Sequence, residues 1–441
     1  MTTDARGGPP AAPLPGTTAP DAGGAVDAAL VEAAARRLVG VVGTTPLEPS
    51  VRLSEATGAR VWLKREDLQV VRSYKARGAY NLIAQLGAGP RARGVVCASA
   101  GNHGQGVAYA CAALRVPGRV YLPRTTPRQK RDRIADLGGA FVETVVVGDT
   151  YDDAATAATE HASSSGATLV PAFDDPRTVA GQGTVAIEVV EQAVAAQGAP
   201  PDVLVVPVGG GGLLAGVLAW MGERHPGVRV VGVEPAGAAS MAAAVAAGRP
   251  VALPHLDTFV DGAAVRQVGA STYPVVAAHR TELVTVEEGR ICREMLAMYQ
   301  TDGIIAEPAG ALATAALAEA VDLAPGSSVV CVVSGGNNDV SRYAEIVERA
   351  LIHEGRKHYF LVDFPQEPGA LRRFLDEVLG PDDDITLFEY VKRSNRETGP
   401  ALVGLEIAHP GDLPALLARM GGSPASFERV AAGEPLFRYL L

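Results

Sequence analysis

Eight short, predominantly apolar runs punctuate the chain: Val95–Ala98, Val120–Leu122, Phe141–Val147, Thr168–Pro171, Val203–Val208, Val228–Val233, Glu282–Thr285 and Val329–Val333. Glycine-rich turns and alanine-rich stretches separate them. A strand without polar alternation is buried on both faces, and crossover helices between parallel strands are what cover both. The pattern predicts an α/β fold of open, mostly parallel twisted sheets flanked by helices. Ligands in such sheets bind beyond the carboxyl ends of the strands. Three polar stretches fall at those ends: Ser99-Ala100-Gly101-Asn102-His103-Gly104, Gly209-Gly210-Gly211-Gly212-Leu213 and Ser334-Gly335-Gly336-Asn337. They are expected to converge on one cleft. A fourth, Ser73-Tyr74-Lys75-Ala76-Arg77-Gly78-Ala79-Tyr80, follows the strand-like Val61-Trp62-Leu63-Lys64.

At 441 residues the chain exceeds what one core holds, so at least two domains are expected. A net charge of −10 without acidic blocks argues against a nucleic-acid surface. The four cysteines, Cys97, Cys111, Cys292 and Cys331, form no CxxC pair, so neither a disulfide framework nor a metal site is suggested and a cytoplasmic home fits. Residues 1–25, rich in Gly, Pro, Ala and Thr, read as disordered and not as a targeting signal. No apolar run reaches the length of a membrane span, so no membrane partner is expected. Asp27 to Val39 has helical spacing and ends at Gly40.

Beyond Glu354 the character changes. Strand, helix, strand, strand, helix, strand follow at Tyr359–Asp363, Gly369–Leu379, Ile385–Lys392, Ala401–Ile407, Asp412–Met420 and from Phe427 onward. That order, βαββαβ, is the ferredoxin-like plan. The expected division is a two-lobed catalytic region over 26–352, with a small lobe at roughly 80–180, and an accessory domain over 356–441.

A lysine able to form a Schiff base, a glycine nest for a dianion, and hydroxyl or amide partners for a pyridine ring are together what pyridoxal phosphate requires. Gly209–Leu213 supplies backbone N–H groups at a helix start. By itself that stretch reads equally as a phosphate nest, a structural turn or a dinucleotide site, since Gly210-x-Gly212-x-x-Ala215 precedes Glu234 at the end of the next strand. Ser99–Gly104 offers hydroxyl, amide and free N–H groups at a strand-to-helix turn, suited to a substrate carboxylate and a ring oxygen. His103 reads as a partner for backbone, without a catalytic role.

These four stretches resemble, in order and spacing, the signature set of the fold type II pyridoxal-phosphate enzymes, and specifically the threonine dehydratases (threonine ammonia-lyases), from about Thr45 to about Ala350. Phe364-Pro365-Gln366-Glu367-Pro368-Gly369-Ala370-Leu371 and Ser394-Asn395-Arg396-Glu397-Thr398-Gly399-Pro400 are similar to the ACT-like regulatory domain of the biosynthetic members. The resemblance implies that Lys75 holds the cofactor and removes the Cα proton. It also implies that Asn102 bonds the ring hydroxyl, that Gly209, Gly210, Gly211, Gly212 and Leu213 hold the phosphate, that Ser334 faces the ring nitrogen and that Tyr74 lies near the ring. Ser99, Ala100, Gly101, Asn102 and His103 would receive the substrate. A neutral hydroxyl at Ser334 need not keep the ring nitrogen protonated, which favours β-elimination, and the cofactor phosphate is the expected donor to the departing hydroxide.

The activity so implied is deamination of L-threonine to 2-oxobutanoate and ammonia, the first step of isoleucine biosynthesis. Isoleucine would inhibit and valine oppose it, through an effector site near Glu367, Gly369 and Asn395, in a homo-oligomer, tetramer or dimer. Serine racemases of this fold carry a second serine where this chain has Ala100, so racemisation is not expected. A serine or broad-specificity L-serine/L-threonine dehydratase is an alternative within the same chemistry. A nucleotide-dependent oxidoreductase or an inactive amino-acid sensor would be alternatives from other classes.

Overall fold

The computed structural model describes residues 26–317, 319–390, 397–431 and 435–440. The segment expected to be disordered and the candidate effector residue Asn395 lie outside the described residues.

Fourteen strands are described: β1 (Leu47–Pro49), β2 (Arg60–Arg65), β3 (Val95–Ala98), β4 (Gly118–Leu122), β5 (Val142–Val146), β6 (Thr168–Leu169), β7 (Val203–Pro207), β8 (Arg229–Pro235), β9 (Glu282–Val286), β10 (Ser328–Val333), β11 (Lys357–Pro365), β12 (Asp384–Tyr390), β13 (Thr398–Glu406) and β14 (Ser426–Arg429). They form three sheets. The first, ordered β1-β2-β10-β7-β8-β9, is parallel except for β1. The second, ordered β5-β4-β3-β6, is wholly parallel. The third, ordered β12-β13-β11-β14, is antiparallel, the arrangement that a βαββαβ chain produces.

Alternation explains why the apolar runs need two covers. Val203, Val205, Val231, Val233, Val329, Cys331 and Val333 point into one core with Ile291, Met295, Leu312 and Ile346. Their neighbours Leu204, Val206, Val230, Val330 and Val332 point into another with Val31, Val189, Leu214 and Met221. Successive side chains of one strand thus feed opposite helical layers. The central strands β7 and β10 are buried throughout, whereas the edge strands β5 and β9 are partly exposed.

Two features depart from the sequence reading. β1 was not foreseen, because three residues containing a proline carry no periodicity. The last strand, expected from Phe427 onward, stops at Arg429 and a helix follows at Pro435–Leu440. Among the described residues, no helix is long and apolar enough to cross a membrane.

Candidate active site

β2 and β10 lie side by side and parallel, so the loops leaving their carboxyl ends emerge together. They are joined there. Ser73 bridges Gly335, Tyr74 N–H donates to the Ser334 carbonyl (3.2 Å) and Gly336 N–H donates to the Arg72 carbonyl (2.9 Å). This seam sets Lys75 as the first residue of the helix Lys75–Ala84. Two residues along the same helix, buried Arg77 bonds Glu66 and Glu188 at 2.6–2.9 Å and fixes its azimuth. Among the described residues, the Lys75 amine reaches only the Ala172 carbonyl, at 3.4 Å, and lies 5.1 Å from the centre of the Tyr74 ring.

Phe173, the residue after Ala172, lies against the glycine loop. A Cβ on Gly210 would lie 2.3 Å from the Phe173 ring and one on Gly212 2.9 Å from the Phe173 Cβ. At Gly211, where φ is +90°, it would lie 2.4 Å from Met241 Cε. At Gly209 it would lie 3.0 Å from the Ala263 backbone. Thr272 Oγ1 donates to the Gly210 carbonyl at 2.7 Å and holds the loop from outside. The N–H groups of Gly209 to Leu213 have no partner among the described residues, and they open the helix Gly212–Arg224. Closely wrapped glycines with free N–H groups at a helix start suit a phosphate dianion. The residues present therefore fit pyridoxal phosphate: a lysine amine, a phosphate cradle and polar side chains meet in one place.

The dinucleotide alternative fails at its acid. Glu234 is buried and its oxygens accept from Met241 and Ala242 N–H at 2.7 and 2.8 Å, so its carboxyl group serves a helix start and not a ribose. Burial pushes it up to about 7.

Asn102 opens the helix Asn102–Leu114, which packs on the lysine: a Cβ on Gly106 would lie 2.9 Å from the Lys75 carbonyl. Ser99 Oγ accepts from Gly101 N–H at 3.3 Å, while the N–H groups of Asn102, His103 and Gly104 have no partner among the described residues. Those groups, with half-buried Ser99, Ala100 and Gly101, form a second anion-binding start beside the lysine. His103 turns its imidazole away from this start, with Nε2 donating to the Val170 carbonyl at 2.8 Å. Burial, aided by nearby Lys75, lowers it to about 4. Ser334 Oγ donates to the Ala309 carbonyl at 3.1 Å.

Sequence reading missed Glu307, which caps no N–H group of the helix Pro308–Ala315 but lies against Asn102. Its only signal was a buried-looking acid in Ile304-Ile305-Ala306-Glu307-Pro308, which spacing alone does not distinguish from a helix start. The proposed effector residues lie far along the chain from this cleft. Glu367 is exposed and paired with Arg373, and Gly369, at φ +89°, begins the helix Ala370–Glu377 after β11.

Comparison with known proteins follows this geometry. The pyridoxal-phosphate dependent enzyme family matches residues 38–335, and the C-terminal regulatory domain of threonine dehydratase matches residues 348–440. The chain is 61% identical to the biosynthetic L-threonine dehydratase IlvA of Mycobacterium tuberculosis over 413 residues, covering 93% of this chain and 95% of the relative. It is 55% identical to that of Corynebacterium glutamicum over 417 residues, covering 94% and 95%. Among solved structures, the processed form of threonine deaminase isoform 2 from Solanum lycopersicum superposes with a TM-score of 0.68 at 35% identity, covering 74% of this chain and 95% of that one. The chain belongs to the pyridoxal-phosphate-dependent enzyme family and carries, at its C-terminal end, the regulatory domain of threonine dehydratases.

Proposed function

We propose that this protein is a threonine ammonia-lyase, which converts L-threonine to 2-oxobutanoate and ammonia at the start of isoleucine biosynthesis. The observation that carries the reading is the joining of Lys75 to the glycine cradle through Ala172 and Phe173, on a chain whose relatives act on threonine. Pyridoxal phosphate, when bound, supplies the electron sink that makes the Cα–H of an amino acid removable. Lys75 is the base that takes that proton. The N–H groups of Gly209, Gly210, Gly211, Gly212 and Leu213 bind the phosphate, Asn102 bonds the ring hydroxyl, Ser334 is an uncharged partner for the ring nitrogen and Tyr74 flanks the ring. The helix start at Ser99–His103 seats the substrate carboxylate. Ala100 presents no hydroxyl that could return a proton to the opposite face of Cα, which favours elimination over racemisation.

The catalytic region is assigned to 26–352 and the regulatory domain to 356–441. Isoleucine inhibition with valine opposing it, a dimer or tetramer, and a cytoplasmic setting belong to the same reading. Two measurements test it. Borohydride reduction of the holoenzyme followed by peptide mapping should place the pyridoxyl group on Lys75, and L-threonine should yield 2-oxobutanoate faster than L-serine yields pyruvate. Label on Lys64 or Lys130 overturns the lysine assignment. Equal or faster turnover of serine shifts the reading to a broad-specificity dehydratase.

A further inference from the structure

Glu307 is nine-tenths or more buried and, among the described residues, its carboxyl group bonds one side chain, the Asn102 amide, whose Nδ2 donates to it at 2.6 Å. The other end of the same amide is also held: Asn102 Oδ1 accepts from Asn337 Nδ2 at 2.6 Å, and Asn337 Nδ2 donates in addition to the Val71 carbonyl at 2.8 Å. An acceptor at one end and a donor at the other fix which way the amide points, since a flip would set acceptor against acceptor and donor against donor. Only one Nδ2 hydrogen goes to Glu307. The second is left over.

Room for this acid is built into the backbone. A Cβ on Gly335 would lie 2.2 Å from Glu307 Oε1, so the glycine beside Ser334 leaves the space that the carboxyl group fills. A Cβ on Gly262 would lie 3.7 Å from the same oxygen.

We infer that Glu307 is a positioning residue of this active site: its carboxyl group, with Asn337, holds the Asn102 amide so that the second Nδ2 hydrogen is presented to the ring oxygen of bound pyridoxal phosphate. The inference rests on the functional reading above. The charged groups that act on Glu307 are Asp261 from the loop before Gly262, Lys130 from the helix Arg128–Gly138, and Lys75. Burial, with Asp261 reinforcing it, raises Glu307 to about 7. The ionised acid accepts from Asn102 only. The protonated acid can donate to a flipped amide and loosens the hold, so the bond to the ring oxygen strengthens as pH rises through about 7.

The test uses wild-type holoenzyme, Glu307→Gln and Glu307→Ala, with cofactor affinity by equilibrium dialysis and the visible spectrum of bound cofactor recorded from pH 6 to pH 8, about one unit either side of the Glu307 transition. Glu307→Ala should bind pyridoxal phosphate on the order of tenfold more weakly, shift the visible band and lower kcat more than it raises KM. Glu307→Gln, which keeps an acceptor oxygen but cannot ionise, should restore most of the affinity while losing the pH-dependent part of the spectrum. Wild-type affinity and spectrum in Glu307→Ala, whatever its thermal stability, overturn the inference. If the alanine variant does not fold, a Glu307→Gln spectrum that still changes with pH as in wild type does the same. These readouts need no turnover, so a wild-type holoenzyme that binds cofactor but makes no 2-oxobutanoate sinks the functional reading separately.

Discussion

Lys75 differs from the chain's rival lysines in what surrounds its nitrogen. Lys64 is wholly buried, with its amine shared among the Thr45 carbonyl, Glu188 and Gln192 at 2.6–2.8 Å, and Lys130 is paired with Asp261 at 3.2 Å. Lys75 alone of the three has no carboxylate partner among the described residues, and its amine meets the carbonyl of Ala172, the residue before the Phe173 that lines the glycine cradle. His103, one helix away, makes the opposite use of a titratable group: it is kept neutral by burial. Its base form is favoured in the folded state, where it titrates at about 4 against an ordinary value of 6.5. The stabilisation is therefore present above pH 6.5 and lost as pH falls from 6.5 towards 4, by up to about 3 kcal/mol. Holoenzyme denaturation in urea at pH 7 and pH 5 should show wild type losing more stability than His103→Gln. Equal losses would mean that His103 is not the group responsible.

At the scale of elements, the site depends on three helices packed through bare backbone. The long helix Pro176–Gln197 lies between the lysine helix and the helix that the glycine loop opens. A Cβ on Gly181 would lie 2.7 Å from the Arg77 carbonyl, and a Cβ on Gly216 would lie 2.3 Å from the Val179 carbonyl. Neither neighbour is the end of a flexible side chain, so a methyl group at Gly216 must move a helix, at a cost of about 1–3 kcal/mol or more. Gly211→Ala acts differently, because strain there falls on the cradle itself, at φ +90°. Gly216→Ala should lower the melting temperature with a modest change in cofactor affinity. Gly211→Ala should lose affinity for pyridoxal phosphate by about tenfold or more while melting near wild type as apoenzyme. The same melting loss in both variants, with equal affinities, would refute this division.

For the whole molecule the question is how the C-terminal sheet reaches the cleft. The helix Tyr343–His353 runs into β11 almost without a linker, and Glu348 on that helix bonds both Lys357 and Tyr359 of β11. From the same helix region Arg342 and Arg349 stack on Phe259, at 4.7 and 4.4 Å from the ring centre, and Arg342 donates to the Phe259 carbonyl at 2.8 Å. Phe259 begins the loop that continues through Asp261 to Ala263, whose backbone touches Gly209 of the cradle. An effector on the C-terminal domain can act only by favouring one arrangement over another, with coupling of about 1–3 kcal/mol. A chain ending after His353 should still bind pyridoxal phosphate and deaminate threonine, without a response to isoleucine. Arg342→Ala combined with Arg349→Ala should weaken the response in the full chain. Undiminished inhibition of the truncated enzyme would place the effector site in the catalytic region.

Much of this was legible without coordinates, for reasons of period and chemistry. Unbroken, mostly β-branched runs such as Val203–Val208 and Val329–Val333, too short for a helix, read as strands buried on both faces, which points to parallel sheets between helical layers. Glycines at Gly209–Gly212 and a lysine after a strand offer a cradle and an amine by residue type, and only their company with the other two stretches points to one cofactor. The sequence determined, in this way, the fold class and the four stretches that meet. Tertiary structure alone decided what lies between them. Glu307 reaches Asn102 across 205 positions because Gly335 leaves it room, Glu234 is spent on a helix start, and Lys64 is consumed by an ion cluster. A carboxylate or an amine has the same local signature whether it is paired, buried or free, since its environment is made by residues distant in the chain.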